Sequence, residues 1–99
     1  MDNPAPLSRA SYPRIAPLYR FQWEAAQNAF VLLFPEGMVQ LNVAAGEILR
    51  RCDGKLSAAE IIADLRVAFQ SEAIDADVEA FLRTATDDGW VEWRDGAAP

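Results

Sequence analysis

Ninety-nine residues, 52% of them apolar and with five Phe, three Trp and two Tyr, make one domain with a modest core and exclude general disorder. The net charge of −6 disfavours a phosphate-backbone partner, and the absence of histidine removes the commonest general base and metal ligand together. With a single cysteine, neither an internal disulfide nor a Cys/His zinc site can be built from one chain.

The elements read as follows in chain order. Residues 1–17 hold Pro4, Pro6, Pro13 and Pro17 and read as an extended N-terminal arm, mobile or ordered against a partner. Tyr19 to Glu24 alternates, with Tyr19, Phe21 and Trp23 on one face and Arg20, Gln22 and Glu24 on the other, which predicts a half-buried strand. Ala25 to Asn28 is a turn. Ala29 to Phe34 is a strand apolar on both faces. Pro35-Glu36-Gly37 predicts a three-residue hairpin loop, with Gly37 left-handed. Met38 to Leu41 is a third strand, and Asn42 caps a helix whose stripe is Ala44, Ala45, Ile48, Leu49 and Cys52. Asp53-Gly54 ends it.

Ser57 to Glu60, S-A-A-E, is a capping box opening a second helix that buries Ile61, Ile62, Leu65, Ala68 and Phe69. After a loop over 70–74, Asp75 is expected to cap a third helix with the stripe Val78, Phe81, Leu82 and Ala85, closed by Asp88-Gly89. Trp90 to Trp93 forms a short terminal strand. The expected domain spans 18–94 and the tail 95–99. The fold class is α+β: a three-stranded antiparallel N-terminal sheet followed by a three-helix bundle, in a winged helix-turn-helix-like arrangement.

The sequence carries no nucleophile elbow, phosphate-binding loop or dinucleotide fingerprint, so no catalytic residue, metal or cofactor is expected. Cys52 on an apolar stripe reads as a small buried hydrophobe. No apolar run reaches the roughly 18 residues that span a bilayer, and the N-terminus lacks a signal-peptide block, so a cytoplasmic protein without membrane contact is expected. Residues 1–20 carry three arginines against Asp2, whereas 21–99 carry six basic and fourteen acidic residues, a net of −8. The third helix sets Asp75, Asp77, Glu79, Asp87 and Asp88 against Arg83 alone, so a recognition helix for DNA is disfavoured.

The run WEAAQNAFVLLFPEGMVQLN, then AGEILRRCDG, DVEAFL and GW, resembles the PqqD family over roughly residues 14–93. One departure is Ala29-Phe30, where that family more usually has a histidine before VLL. The resemblance implies a non-catalytic peptide chaperone of pyrroloquinoline quinone biosynthesis. Such a protein binds the ribosomal precursor peptide and presents it to a radical S-adenosylmethionine enzyme that cross-links a glutamate and a tyrosine. It also implies that the peptide adds a strand beside the third strand and packs on the third helix. Nucleic acid and the quinone itself, stacked on Trp23, Trp90 or Trp93, are the rival guests.

The expected peptide-binding residues are Val39, Gln40, Leu41, Asn42, Val78, Phe81, Leu82 and Ala85. Strand addition supplies main-chain bonds, and pockets between strand and helix supply specificity. Arg50, Arg51 and Lys55 are the candidate enzyme-docking cluster. The two-sided Ala29–Phe34 strand is expected to expose one apolar face, to be covered by the arm, by the Trp90–Trp93 segment or by a second copy in a weak homodimer.

Overall fold

The computed structural model describes residues 8–95. Its elements are β1 (Tyr12–Ile15), β2 (Arg20–Glu24), β3 (Ala29–Phe34), β4 (Gly37–Gln40), α1 (Val43–Arg50), α2 (Ala58–Phe69), α3 (Asp75–Asp87) and β5 (Val91–Arg94). The class is α+β, with antiparallel strands and three helices. The strands divide between two sheets rather than one: β2-β3-β4, and a separate β1-β5 pair.

The second sheet corrects the reading of the N-terminal segment. Residues 12–15 lie within the expected arm, yet Tyr12 pairs with Arg94 and Ile15 with Val91. Pro13 fits because of register. The bond from Ala16 N–H to the Trp90 carbonyl (2.8 Å) makes Ala16 and Trp90 a hydrogen-bonded pair. Alternation along an antiparallel ladder then turns Pro13 away from β5, where its missing N–H is not needed. Its carbonyl instead accepts from Gly54 N–H at 3.0 Å. The same segment closes the N-terminus of α2: the Ser11 and Arg9 carbonyls accept from Ala58 and Ala59 N–H, both at 2.9 Å. Those are two of the donors that a helix start leaves orphaned. The Ser57–Glu60 capping box, present as expected, satisfies a third. The surplus positive charge of the first 20 residues is absorbed locally, with Arg9 on Glu79 and Arg14 on Glu92. The arm's residues 1–7 and the tail's 96–99 lie outside the described residues.

In the larger sheet, Phe21, Leu32 and Val39 stand opposite one another, as do Trp23 and Phe30. This face joins the core with Ile48, Leu49, Ile61, Ile62, Leu65 and Leu82. On the opposite face, Val31 lies between Gln22 and Gln40 and is fully buried, as is Leu32. Of the face that the alternation left to be covered, Val31 is thus buried, whereas Leu33 is half-buried and Met38 opposite it is exposed. The β3–β4 loop is also shorter than expected. Phe34 pairs with Gly37, so only Pro35 and Glu36 turn the chain, and Gly37 (φ 159°) sits near extended backbone as the first residue of β4. In the β2–β3 turn it is Asn28 that takes the left-handed conformation, at φ 54°.

Asn42 caps α1 as expected, its side-chain oxygen accepting from Ala45 N–H at 2.8 Å. Ala44 faces solvent. Gly46 is buried against Phe30: a Cβ there would stand 2.8 Å from the ring's Cδ2. That ring is held by stacking on Phe21 (4.8 Å) and edge contact with Trp23 (5.0 Å). Alanine at 46 would gain about 1 kcal/mol of helix propensity but incur about 1–3 kcal/mol of overpacking. Gly46→Ala is therefore expected to lower the urea midpoint, and Phe30→Leu in the same chain to recover part of the loss.

Two expectations for the helices are corrected. Ala68 and Phe69 are exposed at the end of α2, beyond its buried residues Ala58, Ile61, Ile62 and Leu65. Asp75 does not cap α3: the cap position is Ile74, without a side-chain bond. Asp75 is the first helical residue, and its carboxylate receives both Arg66 Nε (3.0 Å) and Nη2 (2.5 Å). This two-point pairing ties the end of α2 to the start of α3, and Arg66 holds the Asp75 carboxyl below the usual carboxylate range.

Candidate functional site

Strand β4 is an edge: β3 lies on one side and no strand on the other among the described residues. Which of its backbone groups are free follows from register. Leu41 N–H donates to the Phe30 carbonyl at 3.0 Å, so that pair is a hydrogen-bonded one. Alternation makes Val39–Leu32 and Gly37–Phe34 the next such pairs. Met38 and Gln40 then point their N–H and C=O groups outward. Two donors and two acceptors stand on the open edge, spaced to receive an extended chain.

Beyond the end of β4 lies a cavity of about 360 Å³. Asn42, Ala44, Ala45 and Ile48 line it from the β4–α1 side. Phe69 and Ile74 close one end, and Asp77, Val78 and Phe81 form the α3 wall. Seven of these nine residues are apolar, with Asn42 the neutral polar one and Asp77 the charged one. Its size suits a single long or aromatic side chain.

The expected peptide-binding residues divide within this geometry. Asn42, Val78 and Phe81 meet in the cavity. Gln40 and Leu41 line a second recess of about 500 Å³, with Asn42, Trp23, Phe30 and Val43. Leu41, Val78, Leu82 and Ala85 are buried core residues, whereas Val39 and Phe81 are half-buried. Leu82 and Ala85 line neither recess. Met38, Ala44, Ala45, Ile48, Phe69, Ile74 and Asp77 are not among the expected peptide-binding residues; Ala44, Ala45, Ile48 and Phe69 read as helix stripe and Asp77 as part of an acidic helix. Phe69 and Ile74 carried a signal, an apolar pair flanking a short polar loop, but both fit a core stripe equally well.

The basic cluster separates. Arg51 is 9% exposed, and its guanidinium is spent on Glu47 (2.8 Å) and Asp64 (2.5 Å). Arg50 is exposed beside Glu47 at 3.4 Å. Lys55 lies with Arg14, Arg94, Asp53 and Glu92 around another recess, at the β1–β5 end. Trp93 donates its Nε1–H to Thr86 Oγ1 at 2.8 Å and is half-buried, as is Trp90. Trp23 is the exposed tryptophan, at 50%.

Cys52 is buried, as its place on the stripe implied, with Sγ 3.4 Å from the Ile48 carbonyl. Burial pushes its thiol up to about 12, with the Asp53 charge adding to the effect. A thiol in an unfolded chain ionises near pH 8.5. The folded-state value is the higher one, so this contribution to stability is complete below about pH 8.5 and is lost as the pH rises towards 12. We expect unfolding free energy to fall by a few kcal/mol across that window, at about 1.4 kcal/mol per pH unit. Cys52→Ala is expected to flatten the slope in parallel urea titrations. Among the described residues, no group of three or more His, Cys, Asp or Glu could hold a metal ion, and no helix is long and apolar enough to cross a membrane.

Known proteins resemble this chain in sequence and in fold. The family model described as "Coenzyme PQQ synthesis protein D (PqqD)" matches residues 29–91. A protein of Azotobacter vinelandii named "PqqA binding protein" is 49% identical over 81 residues, covering 81% of this chain and 88% of its own length. One of the same name from Methylococcus capsulatus is 40% identical over 77 residues, covering 78% and 83%. The solution structure of the PqqD part of Methylobacterium extorquens PqqCD, described as a stand-alone recognition element for ribosomally made, modified peptides, superposes with a TM-score of 0.72. It is 25% identical, over 92% of this chain and 99% of that one. The match from β3 to the first residue of β5 takes in the open edge and the cavity, and the chain belongs to the PqqD family.

Proposed function

We propose that this chain binds a PqqA-type precursor peptide as an added strand on β4, seats one peptide side chain in the cavity between α1 and α3, and presents the peptide to a radical S-adenosylmethionine enzyme in the cytoplasm. The enzyme cross-links a glutamate and a tyrosine; this chain holds and does not react. The frame is winged-helix-like, with β5 as its terminal strand. The observation that carries the reading is the outward row of backbone groups at Met38 and Gln40, ending beside an apolar cavity.

Magnitudes show why both parts are needed. Four main-chain bonds at about 0.5–1.5 kcal/mol each supply roughly 2–6 kcal/mol. Micromolar affinity needs about 8 kcal/mol net, and an unstructured peptide must also be ordered. Burying the apolar surface of two or three peptide side chains, at about 1.5–3 kcal/mol each, closes the gap. Nucleic acid is the poorer guest because Asp77 stands in the cavity wall and the rest of α3 is acidic. Quinone stacking is less favoured, since Trp90 and Trp93 are packed and the exposed Trp23 lies by the other recess.

An amide-shift titration of the full chain with the precursor peptide tests the reading. Shifts are expected at residues 38–42 and 74–81, and the affinity is expected to hold in moderate salt better than phosphate binding does. A peptide that binds without moving those amides would refute the strand-addition site, and one that does not bind would refute the function.

A further inference from the structure

We propose that the side chain seated in the cavity is a lysine or arginine of the peptide, its aliphatic stem lying on Ile48 and Phe81 and its cationic head reaching Asp77. The inference rests on the peptide-binding reading and adds the chemistry of the anchoring residue.

Asp77 is the one charged group of an otherwise largely apolar cavity, and it is exposed in the first turn of α3. Its acidic neighbours on that helix are engaged: Asp75 by Arg66 and Arg9, Glu79 by Arg9. Asp77 has no ion-pair partner among the described residues. A favourable interaction with the helix N-terminus explains why a carboxylate is tolerated there. It does not explain why an acidic residue lines a cavity whose other walls are almost wholly apolar. A wholly apolar guest would lie beside that charge without pairing with it, at the cost of part of the carboxylate's hydration. An acidic guest would be repelled. Lysine and arginine alone combine a long apolar stem, which the walls bury, with a head that pairs with the acid. Phe81 adds a ring face over which such a cation is attracted.

The test measures binding of the precursor peptide to the full-length protein, with each peptide Lys or Arg replaced in turn by norleucine. The protein is compared as wild type, Asp77→Asn and Asp87→Asn, the last at the far end of α3 and outside the cavity. One norleucine substitution is expected to weaken binding to wild type about three- to tenfold, the scale of a partly desolvated ion pair. Asp77→Asn should cost the same factor, and the two together no more than either alone. Asp87→Asn should change affinity less than twofold. Equal losses for Asp77→Asn and Asp87→Asn would reduce the effect to general charge and overturn the proposal. So would wild-type affinity in Asp77→Asn, or a bound segment lacking Lys and Arg. These results leave strand addition intact, because that reading is tested separately by proline at Gln40. A peptide that fails to bind the wild type overturns both.

Discussion

Replacing Gln40 with proline is expected to weaken binding of the precursor peptide at least tenfold while leaving the domain folded. The register from the Leu41–Phe30 bond turns the Gln40 N–H away from β3. Proline there removes no bond of the β3–β4 ladder, and an edge strand accepts it. What disappears is an outward donor, and the pyrrolidine ring occupies the space of the incoming strand. One lost bond of about 0.5–1.5 kcal/mol together with a steric block gives a loss of that order. The control is Val39→Pro, one residue away. Val39 pairs with Leu32 across the ladder, so proline there orphans a buried Leu32 carbonyl at about 1–3 kcal/mol. Urea midpoints should therefore fall for Val39→Pro and stay near wild type for Gln40→Pro, with isothermal titration reporting the opposite order of specific effects on binding. If Gln40→Pro binds like wild type, the peptide does not lie on this edge.

Leu32→Ala should produce the largest loss of stability, about 2–5 kcal/mol. Leu32 is fully buried at the centre of the larger sheet, between Phe21 and Val39, and joins the main cluster beneath the helices. Truncation removes three buried carbons where sheet and helices meet, and a central strand paired on both sides has little freedom to collapse into the space. Domains of this size are typically stable by about 5–15 kcal/mol, so the variant should keep a native spectrum only at low denaturant. A shift below about 1 kcal/mol in the urea midpoint energy would mean that Leu32 is less confined than its burial indicates. Val31→Ala, a smaller truncation on the other face, should cost less.

Local chemistry was legible in the residues. Asn42 and the Ser57–Glu60 box satisfy backbone donors within three positions of themselves, so their roles depend on little beyond sequence spacing. The strand over residues 20–24 and the stripe Val78, Leu82 and Ala85 were likewise readable from a period of two or of 3.6, although Trp23, expected on the apolar face of that strand, is exposed. The resemblance to the PqqD family was carried by the same stretches, and the family match confirms it.

Where the reading failed, the deciding contacts mostly came from outside the element being read. Four prolines made residues 1–17 look like an arm, yet Pro13 becomes a strand residue because its lost donor faces away from β5, about 80 residues on. Asp75 looked like a cap because Asp favours that position, but Arg66 and Arg9 converge on its carboxylate once α2 and α3 fold back. Arg50, Arg51 and Lys55 are close in sequence, yet Arg51 turns inward to Glu47 and Asp64 while Lys55 joins another recess. The candidate site shows the same division. Sequence alone determined an α+β fold of the PqqD type, with a short strand leading directly into a capped helix and an acidic third helix. Those features rest on periodicity and neighbour-to-neighbour bonds. Tertiary structure decided which groups of that strand are free and which apolar side chains remain accessible. Hydrogen-bond register depends on the facing strand, and accessibility depends on what packs against a residue from elsewhere in the chain. Leu82 and Ala85 are therefore core, and Asp77 stands at the mouth of a cavity.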